Sequence, residues 1–273
     1  VLGPTFLPAM MKAWGIAGVV FFIGGAYVFT AVMFAQLTPQ PSSDVSRVTK
    51  PLADLLAGFA YIRSQGVMVA LIAIGVVTGI FASSYLTLLP AFAADVLDSP
   101  VDGYGYLLLA SGVGGFFGML ALANFVNRKD SASVQAVTGV GLGLALVAFA
   151  LVGWLPISIA AIALVGAFGL AFGTINNTLL QSIVAEEYRG RVSSIHQLGW
   201  GASALGGLLL GFLAQSVSAP FALAVSGVIT AVAIGVLSRY VRRALGSRPD
   251  KQETVSAAEA TRPTPTMQKP PPG

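Results

Sequence analysis

The sequence predicts an all-α membrane protein, a polytopic helical bundle that crosses the bilayer several times. Hydrophobic residues make up 55% of the chain and charged residues 10%, whereas a soluble domain carries roughly 25% charged residues. Between residues 67 and 239 the charges are confined to three short clusters. These are Asp95, Asp98 and Asp102; Arg128, Lys129 and Asp130; and Glu186, Glu187, Arg189 and Arg191. Because a charge at the bilayer centre costs several kcal/mol, the clusters indicate loops between spans.

The apolar stretches between the charges are long enough to serve as membrane spans. About 20 helical residues cross the ~30 Å hydrocarbon layer. The predicted spans are residues 16–37, 67–89, 104–125, 134–154, 157–184, 192–215 and 219–237. Residues 1–11 are too short to span, so we expect the last turns of a helix there, followed by a tight turn at residues 12–15. Pro90, Pro156 and Pro220 fall at span ends, where a missing N–H is tolerated.

Residues 38–66 differ in character from the spans and predict a linker. They open with prolines and serines, which disfavour a helix. Apolar residues then recur at helical spacing, with polar residues on the other side. The apolar positions are Leu52, Leu55, Leu56, Phe59 and Ile62. This pattern is typical of an amphipathic helix on the membrane surface and equally of a linker helix packed on protein, so both interpretations stay open.

The distribution of basic residues predicts the topology. Residues 38–66, 128–129 and 189–191 and the C-terminal tail are basic, and the loops between them are acidic or uncharged. Basic loops face the cytoplasm, so we expect a multi-pass protein of the cell (inner) membrane with its C-terminus inside. Residues 239–273 are basic and proline-rich, which predicts a disordered cytoplasmic tail. The expected divisions are therefore 1–37, 38–66, 67–238 and 239–273.

Small residues four positions apart predict close helix packing. Such pairs allow helix backbones to approach each other in lipid, where no hydrophobic force drives association. The pairs are Gly75/Gly79, Gly114/Gly118, Gly139/Gly143, Gly169/Gly173 and Gly207/Gly211.

Polar residues inside the spans are few, and each must find a partner or face water. Asn176, Asn177 and Gln181 lie in one span, and they either line a cavity or bond neighbouring helices. For Ser83 and Ser84 we favour helix–helix contacts, because a serine hydroxyl can bond back to its own helix.

The single histidine, His196, offers one titratable group within a span. A histidine inside a membrane suggests a proton relay. Its closeness to Arg191 favours an interfacial or structural role instead. No span centre carries a carboxylate, which a proton-coupled carrier usually needs.

Several classes of function lack candidate residues. The chain has no cysteine and no hydrolase, P-loop or zinc-site motif, so we expect no catalytic residues, no metal site, no cofactor and no enzyme activity. Nucleic-acid binding would need a solvated basic face, which the pattern does not provide.

Three stretches of the sequence resemble one branch of the major facilitator superfamily, the efflux branch that includes macrolide exporters and the enterobactin exporter. This branch is also called the transmembrane secretion effector family. The stretches are residues 176–192 (NNTLLQSIVAEEYRGRV), residues 89–97 (LPAFAADVL) and residues 103–108 (GYGYLL). Gly3-Pro4 also looks like the Gly-Pro of the family's fifth span.

The resemblance implies a twelve-span fold of two six-helix halves with a central cavity and alternating access. This chain would hold the end of span five, span six, the central loop and the C-terminal six-helix half. Family roles carry over to Arg189 and Arg191, which imply contacts that close the cytoplasmic gate; the alternative is that they are positive-inside anchors. The family signature between spans eight and nine matches at Asn127 and Arg128, although Ala123 and Asn127 replace its glycine and aspartate.

These observations together predict a secondary transporter. It would export a small, largely apolar molecule such as a drug or siderophore, with protons as the possible coupling ion, and act as a monomer in the lipid bilayer. One wall of the cavity would be formed by Tyr85, Phe116, Asn176, Asn177, Gln181 and Trp200. The competing hypothesis is a non-transporting sensor or scaffold on the same fold.

Overall fold

A computed structural model of the protein describes residues 3–36, 51–125 and 131–246. All regular elements of this described part are helical, which confirms the predicted fold class. In chain order the α-helices are α1 (Gly3–Ala35), α2 (Pro51–Ser64), α3 (Gly66–Val77), α4 (Tyr85–Asp95), α5 (Asp102–Phe125), α6 (Ser131–Ala150), α7 (Leu155–Ile183), α8 (Arg189–Gly201), α9 (Ser203–Ser216) and α10 (Ala219–Gly246). Residues 247–273, most of the predicted tail, lie outside the described part.

Six segments of the described chain are long and apolar enough to cross a membrane. They are Ala17–Ala35, Gly66–Asp95, Asp102–Asn124, Ser131–Ala150, Leu155–Ile183 and Ala219–Leu245. Each contains most of a predicted span. The last helix continues past the predicted end at residue 237 as far as Gly246, because its basic residues follow the apolar ones without a helix-breaking residue.

The prediction of one continuous span over residues 192–215 was wrong. The segment forms two helices, α8 and α9, which are interrupted at Ala202. Glycines at positions 199 and 201 and a serine at 203 flank the interruption. Glycine is about 1 kcal/mol less favourable than alanine inside a helix, so the sequence is locally weak where the helix stops.

The candidate span Gly66–Asp95, which contains α3 and α4, has a second irregularity. Between α3 and α4 lies a π-helical turn, Thr78–Ala82, in which the Ser83 N–H donates to the carbonyl of Thr78 at 2.8 Å. Pro90 lies inside α4 and not at the end of a span as expected. Wider turns and prolines are tolerated within a span where neighbouring helices or side chains satisfy the freed backbone groups.

A glycine divides α1 as the sequence predicted. Gly15 has φ 64° and ψ −172°, a combination that is essentially restricted to glycine. The apolar segment that follows, Ala17–Ala35, has no residue buried inside the protein. An apolar helix that is exposed along its whole length is suited to surroundings of lipid or of other helices.

Two helix pairs form the main packing of the bundle, α5 with α7 and α6 with α10. In the first pair, a Cβ atom on Gly114 would overlap the backbone of Ala163, and one on Gly118 would overlap Ala167. Close backbone approach at this predicted glycine pair is therefore confirmed.

The second pair uses the same device. A Cβ on Gly143 would lie 2.5 Å from the amide nitrogen of Ala231, in α10. At Gly173 and Gly211, in contrast, an added Cβ would meet nothing within 4 Å. Spacing alone thus identified glycines that could pack, and the helix face decided which of them do.

The loops fall at two ends of the bundle. At one end, α2 packs on α8, and Gly66 at the start of α3 contacts Tyr240 near the end of α10. We name this the linker end. At the other, Gly153 after α6 approaches Val96 after α4, and this we name the acidic end because Asp95, Asp98 and Asp102 belong to it.

We expect Gly114→Ala to lower the stability of the bundle by ~1–3 kcal/mol, because the new methyl group would push α5 away from α7. Thermal unfolding of the detergent-solubilised protein would measure the change. Gly105→Ala is the matched control in the same helix, since its added methyl meets nothing within 4 Å. Equal melting temperatures for the two variants would contradict the close contact.

Candidate functional site

A cavity of about 600 Å³ lies in the bundle and is lined by residues of α3 to α8 and of the π-helical turn. Its volume is within the range of pockets that bind drug-sized ligands. The lining residues with polar side chains are Thr78, Ser83, Tyr85, Ser111, Thr174, Asn176, Asn177, Thr178, Ser193, His196 and Gln197. Apolar side chains and glycines complete the lining. None of the residues lining this cavity is Asp, Glu, Lys or Arg.

Toward the linker end, the cavity wall is formed by amides and an imidazole. Asn176 and Asn177 come from the last third of α7, and His196 and Gln197 from the middle of α8. Side chains of both helices lie beside Gly75 of α3. A Cβ added there would be 3.1 Å from His196 Cε1 and 3.7 Å from Asn176 Nδ2. Gly75 therefore makes room for both polar side chains.

A buried hydrogen bond fixes the orientation of Asn176. The Nε2 group of Gln135, in α6, donates to Asn176 Oδ1 at 2.6 Å. Gln135 is fully buried, and within the described part of the chain its own Oε1 accepts no hydrogen bond. Because Asn176 Oδ1 accepts the hydrogen bond from Gln135, the Nδ2 group of Asn176 is the one directed toward Gly75.

A second hydrogen bond joins two helices farther along the cavity. The hydroxyls of Tyr85, at the start of α4, and Ser111, in α5, are 2.8 Å apart. Ser111 lies where α5 and α7 approach most closely, since a Cβ on Gly166 would overlap its carbonyl. The Tyr85 hydroxyl is thus bonded to a residue at the close contact between α5 and α7.

The predicted cavity residues separate into two groups. Tyr85, Asn176 and Asn177 line the cavity. Phe116 and Gln181 do not: Phe116 is 52% exposed on α5 and contacts Phe117 edge to face, with 5.6 Å between ring centroids. Phe116 occupies the outer face because α5 turns its glycines toward α7. Trp200 belongs to α8, but its side chain lies outside the described part.

The two predicted helix-contact serines also differ from each other. The hydroxyl of Ser84 donates to the carbonyl of Ile80 at 2.6 Å and lies 3.2 Å from the carbonyl of Ser203, the first residue of α9. It therefore joins two helices, as expected. Ser83 lines the cavity.

Of the predicted gate residues, Arg189 and Arg191 begin α8 at the linker end, and Asn127 and Arg128 lie outside the described residues. Arg189 is exposed. Arg191 is half-buried, with its guanidinium carbon 5.6 Å from the centroid of the Tyr188 ring. That ring in turn stacks on Tyr61 of α2, with centroids 4.1 Å apart and planes 4° apart.

Helix α2 is held against the bundle by this stack and by further contacts. The N–H of Ala185, just after α7, donates to the hydroxyl of Tyr61 at 3.0 Å. Gly58 packs so closely on α8 that an added Cβ would lie 3.2 Å from Arg191 Cβ. We call the group formed by Tyr61, Tyr188 and Arg191 the aromatic clamp. It supports the linker-helix interpretation of α2, although Leu56 and Phe59 remain exposed.

Sequence reasoning missed Ser111 and Gln135. Ser111 is a single hydroxyl in a glycine-rich stretch, and Gln135 lies close to the start of its helix. Both carried one usable signal, since a polar side chain inside an apolar helix needs a partner. Neither could be paired from the sequence alone, because their partners lie on other helices.

Comparison with known proteins assigns the chain to a family. A family model of the Major Facilitator Superfamily matches residues 1–207. The chain belongs to this superfamily. It is also 25% identical over 224 residues to the multidrug efflux pump Tap of Mycolicibacterium fortuitum, in an alignment that covers 79% of this chain and 54% of that protein. The chain therefore spans about half the length of this relative.

Membership of the major facilitator superfamily confirms the resemblance seen in the sequence. It also gives the cavity a context, because substrate sites of transporters built from repeated halves lie near the bilayer midplane, at the interface between the halves. The cavity described above lies on one face of a single bundle.

We expect Asn176→Leu to destabilise the protein more than the double variant Gln135→Leu, Asn176→Leu. The single change leaves the buried Gln135 amide without its partner, whereas the double change removes both polar groups. A double-mutant cycle on thermal stability should give a coupling free energy of ~0.6–1.7 kcal/mol. Strictly additive effects would show that the two amides do not interact.

We expect Tyr61→Ala to release α2 and to speed trypsin cleavage after Arg63 by about tenfold, the factor that corresponds to a loss of ~1.4 kcal/mol of stacking and hydrogen bonding. Mass spectrometry of the fragments would measure the rate. Leu56→Ala serves as the control on the same helix, because Leu56 is 61% exposed. If both variants were cleaved at the wild-type rate, the aromatic clamp would not hold α2.

Proposed function

We propose that this chain forms the C-terminal six-helix half of a secondary transporter, together with span six and the end of span five. The transporter exports a small, largely apolar molecule, such as a drug or siderophore, by alternating access. Its action is transport and not catalysis. Membership of the superfamily supports the mechanism, and the relative named as a multidrug efflux pump supports the substrate class.

The cavity is the observation that carries the proposal. It is large enough for a drug-sized molecule, and its lining combines apolar side chains with hydroxyls and amides. The described part of the lining contains no Asp, Glu, Lys or Arg, which suits neutral or weakly charged amphipathic molecules, since a strongly charged substrate would lose its hydration without gaining a permanent counter-ion.

The proposed membrane orientation places the linker end in the cytoplasm. Arg63, Arg189 and Arg243 are all near this end, and basic residues collect on the cytoplasmic side of membranes. The bundle of residues 67–238 would then sit in the cell membrane as a monomer, with linker 38–66 and tail 239–273 inside. Contacts of Arg189 and Arg191 would close the cytoplasmic gate, with Asn127 and Arg128 as further members.

Proton coupling is part of the proposal, and its carboxylate belongs to a span outside this chain's described helices. In the described spans, acidic residues occur at the ends, as at Asp95 and Asp102. A buried carboxylate near the cavity is the usual proton carrier. We therefore place this carboxylate in the N-terminal six-helix half of the transporter.

Efflux into everted membrane vesicles would test the proposal with the full-length protein. We expect uptake of neutral and weakly charged fluorescent drugs into the vesicles, and loss of uptake when a protonophore collapses the proton gradient. Transport that persists without the gradient would exclude proton coupling. Absence of transport for every compound, in vesicles that contain folded protein, would favour a sensor or scaffold on the same fold.

We expect Asn177→Leu to raise the KM for transport about fivefold to tenfold, the factor that corresponds to one lost hydrogen bond of ~1–1.4 kcal/mol. Asn177 is exposed to the cavity, so the change removes a contact without leaving a buried partner. Phe117→Leu, on the outer face of α5, should keep the wild-type KM. A wild-type KM for Asn177→Leu would place the substrate elsewhere.

A further inference from the structure

The side chain of His196 is a titratable group in the cavity. It is the single histidine of the chain, and it lines the cavity from the middle of α8. Histidine is the side chain that gains and loses a proton near neutral pH. Among the lining residues it is therefore the one whose charge can change under physiological conditions.

The imidazole lies beside a hydrogen-bond donor of fixed orientation. It packs over Gly75 next to Asn176 Nδ2, and Asn176 cannot turn its oxygen toward it without breaking the bond from Gln135. Within the described part of the chain, the hydrogen bonds of the protein leave the imidazole without a partner. A ligand in the cavity is thus offered an N–H group of Asn176 and a ring nitrogen of His196 together.

The charged and titratable groups on the elements around α8 are few, so the charge of the imidazole can depend on the ligand in the cavity. Helix α2 contributes Tyr61 and Arg63, and the turn before α8 contributes Glu186, Glu187 and Tyr188. Arg189 and Arg191 lie on α8 itself, where Arg189 is exposed and Arg191 is directed to the aromatic clamp, and Tyr85 shares the cavity but bonds to Ser111. The described residues of α3, the π-helical turn, α7 and α9 contain no Asp, Glu, Lys or Arg. Among the described residues, none that lines the cavity beside His196 is a counter-ion.

We propose that His196 and Asn176 form a proton-dependent subsite that binds a hydrogen-bond-accepting or anionic group of the substrate, such as a carboxylate, phenolate or carbonyl. A protonated imidazole donates from both nitrogens and adds a positive charge, whereas the neutral ring donates from one. An acceptor placed between His196 and Asn176 Nδ2 therefore gains a charge-assisted hydrogen bond when the proton binds. Substrate and this proton strengthen each other's binding by the same factor, so the proton on His196 is distinct from the proton that is proposed to drive export by exchange.

This subsite rests on the proposed export function for its substrate, but its two defining properties can be measured without transport. They are the titration of one imidazole and the pH dependence of ligand affinity. Acidic pH should favour acceptor-bearing or anionic ligands and disfavour cations, because the bound proton repels a positive charge.

The test uses the full-length protein, labelled with ¹⁵N-histidine, purified without a polyhistidine tag and placed in lipid nanodiscs. The imidazole signal that disappears in His196→Gln belongs to His196. We expect this signal to change with pH, and the midpoint of the change to rise by about one unit when salicylate, an aromatic carboxylate, saturates the cavity. By linkage, salicylate should then bind about tenfold more tightly at pH 5.5 than at pH 8.

Two variants and a second probe test the separate roles of His196, Asn176 and the charge of the ligand. In His196→Gln the affinity for salicylate should lose its pH dependence, and ethidium, a cation, should not gain affinity at acidic pH in the wild type. Asn176→Ala should weaken salicylate at both pH values while His196 still titrates. A His196 signal that does not titrate, or a midpoint that salicylate leaves unchanged, would overturn the subsite.

The outcome is distinguishable from the fate of the proposed function. A salicylate-dependent titration of His196 in a protein that transports nothing would support the subsite and reject export. Robust efflux by a protein whose His196 signal ignores both pH and salicylate would support export and reject the subsite.

Discussion

The close approach of helix backbones is the constraint on which the rest of this structure depends. In lipid, helices associate through packing and hydrogen bonds and not through burial of apolar surface from water. Gly114 and Gly118 bring α5 against α7, and Gly143 brings α6 against α10. These two helix pairs form a frame. The cavity is lined by α5, α6 and α7 of this frame together with α3, α4 and α8. Two polar contacts of the cavity depend on such a frame, because Asn176 bonds to Gln135 on α6 and Tyr85 bonds to Ser111 on α5.

The spans could be predicted from the sequence because charge is so costly in a bilayer, and this single rule places six of the seven segments. It could not locate the interruption at Ala202 or the π-helical turn at Thr78–Ala82, since neither contains a charged residue and both differ from regular helices in backbone bonding. Candidate site residues were found where a polar type stands out in an apolar helix, as at Asn176. Which face a residue occupies depends on the neighbouring helices, and this is why Phe116 was misplaced and Ser111 missed.

The two irregularities of the bundle lie next to each other, and their closeness connects packing with function. Ser84, just after the π-helical turn, lies within hydrogen-bonding distance of the carbonyl of Ser203, just after the interruption. Gly206 permits this contact, because a Cβ there would overlap the Ile80 carbonyl and the Ser84 hydroxyl. Regular helices resist bending, whereas wide turns and broken turns are typical of functional sites. The π-helical turn thus borders the cavity, and the interruption at Ala202 lies next to that turn.

The aromatic clamp also has a consequence for how the protein is made. Tyr61 and its hydrogen-bond partner Ala185 are separated by 124 positions in the chain. At a synthesis rate of about 5–20 residues per second, α2 leaves the ribosome about 6–25 seconds before its docking surface exists. During that interval Leu56 and Phe59, which stay exposed even in the folded protein, can rest on the bilayer surface as an amphipathic helix does. Both interpretations of α2 are then compatible with one helix, whose Leu56 and Phe59 can contact the membrane surface and whose Tyr61 packs on the finished bundle.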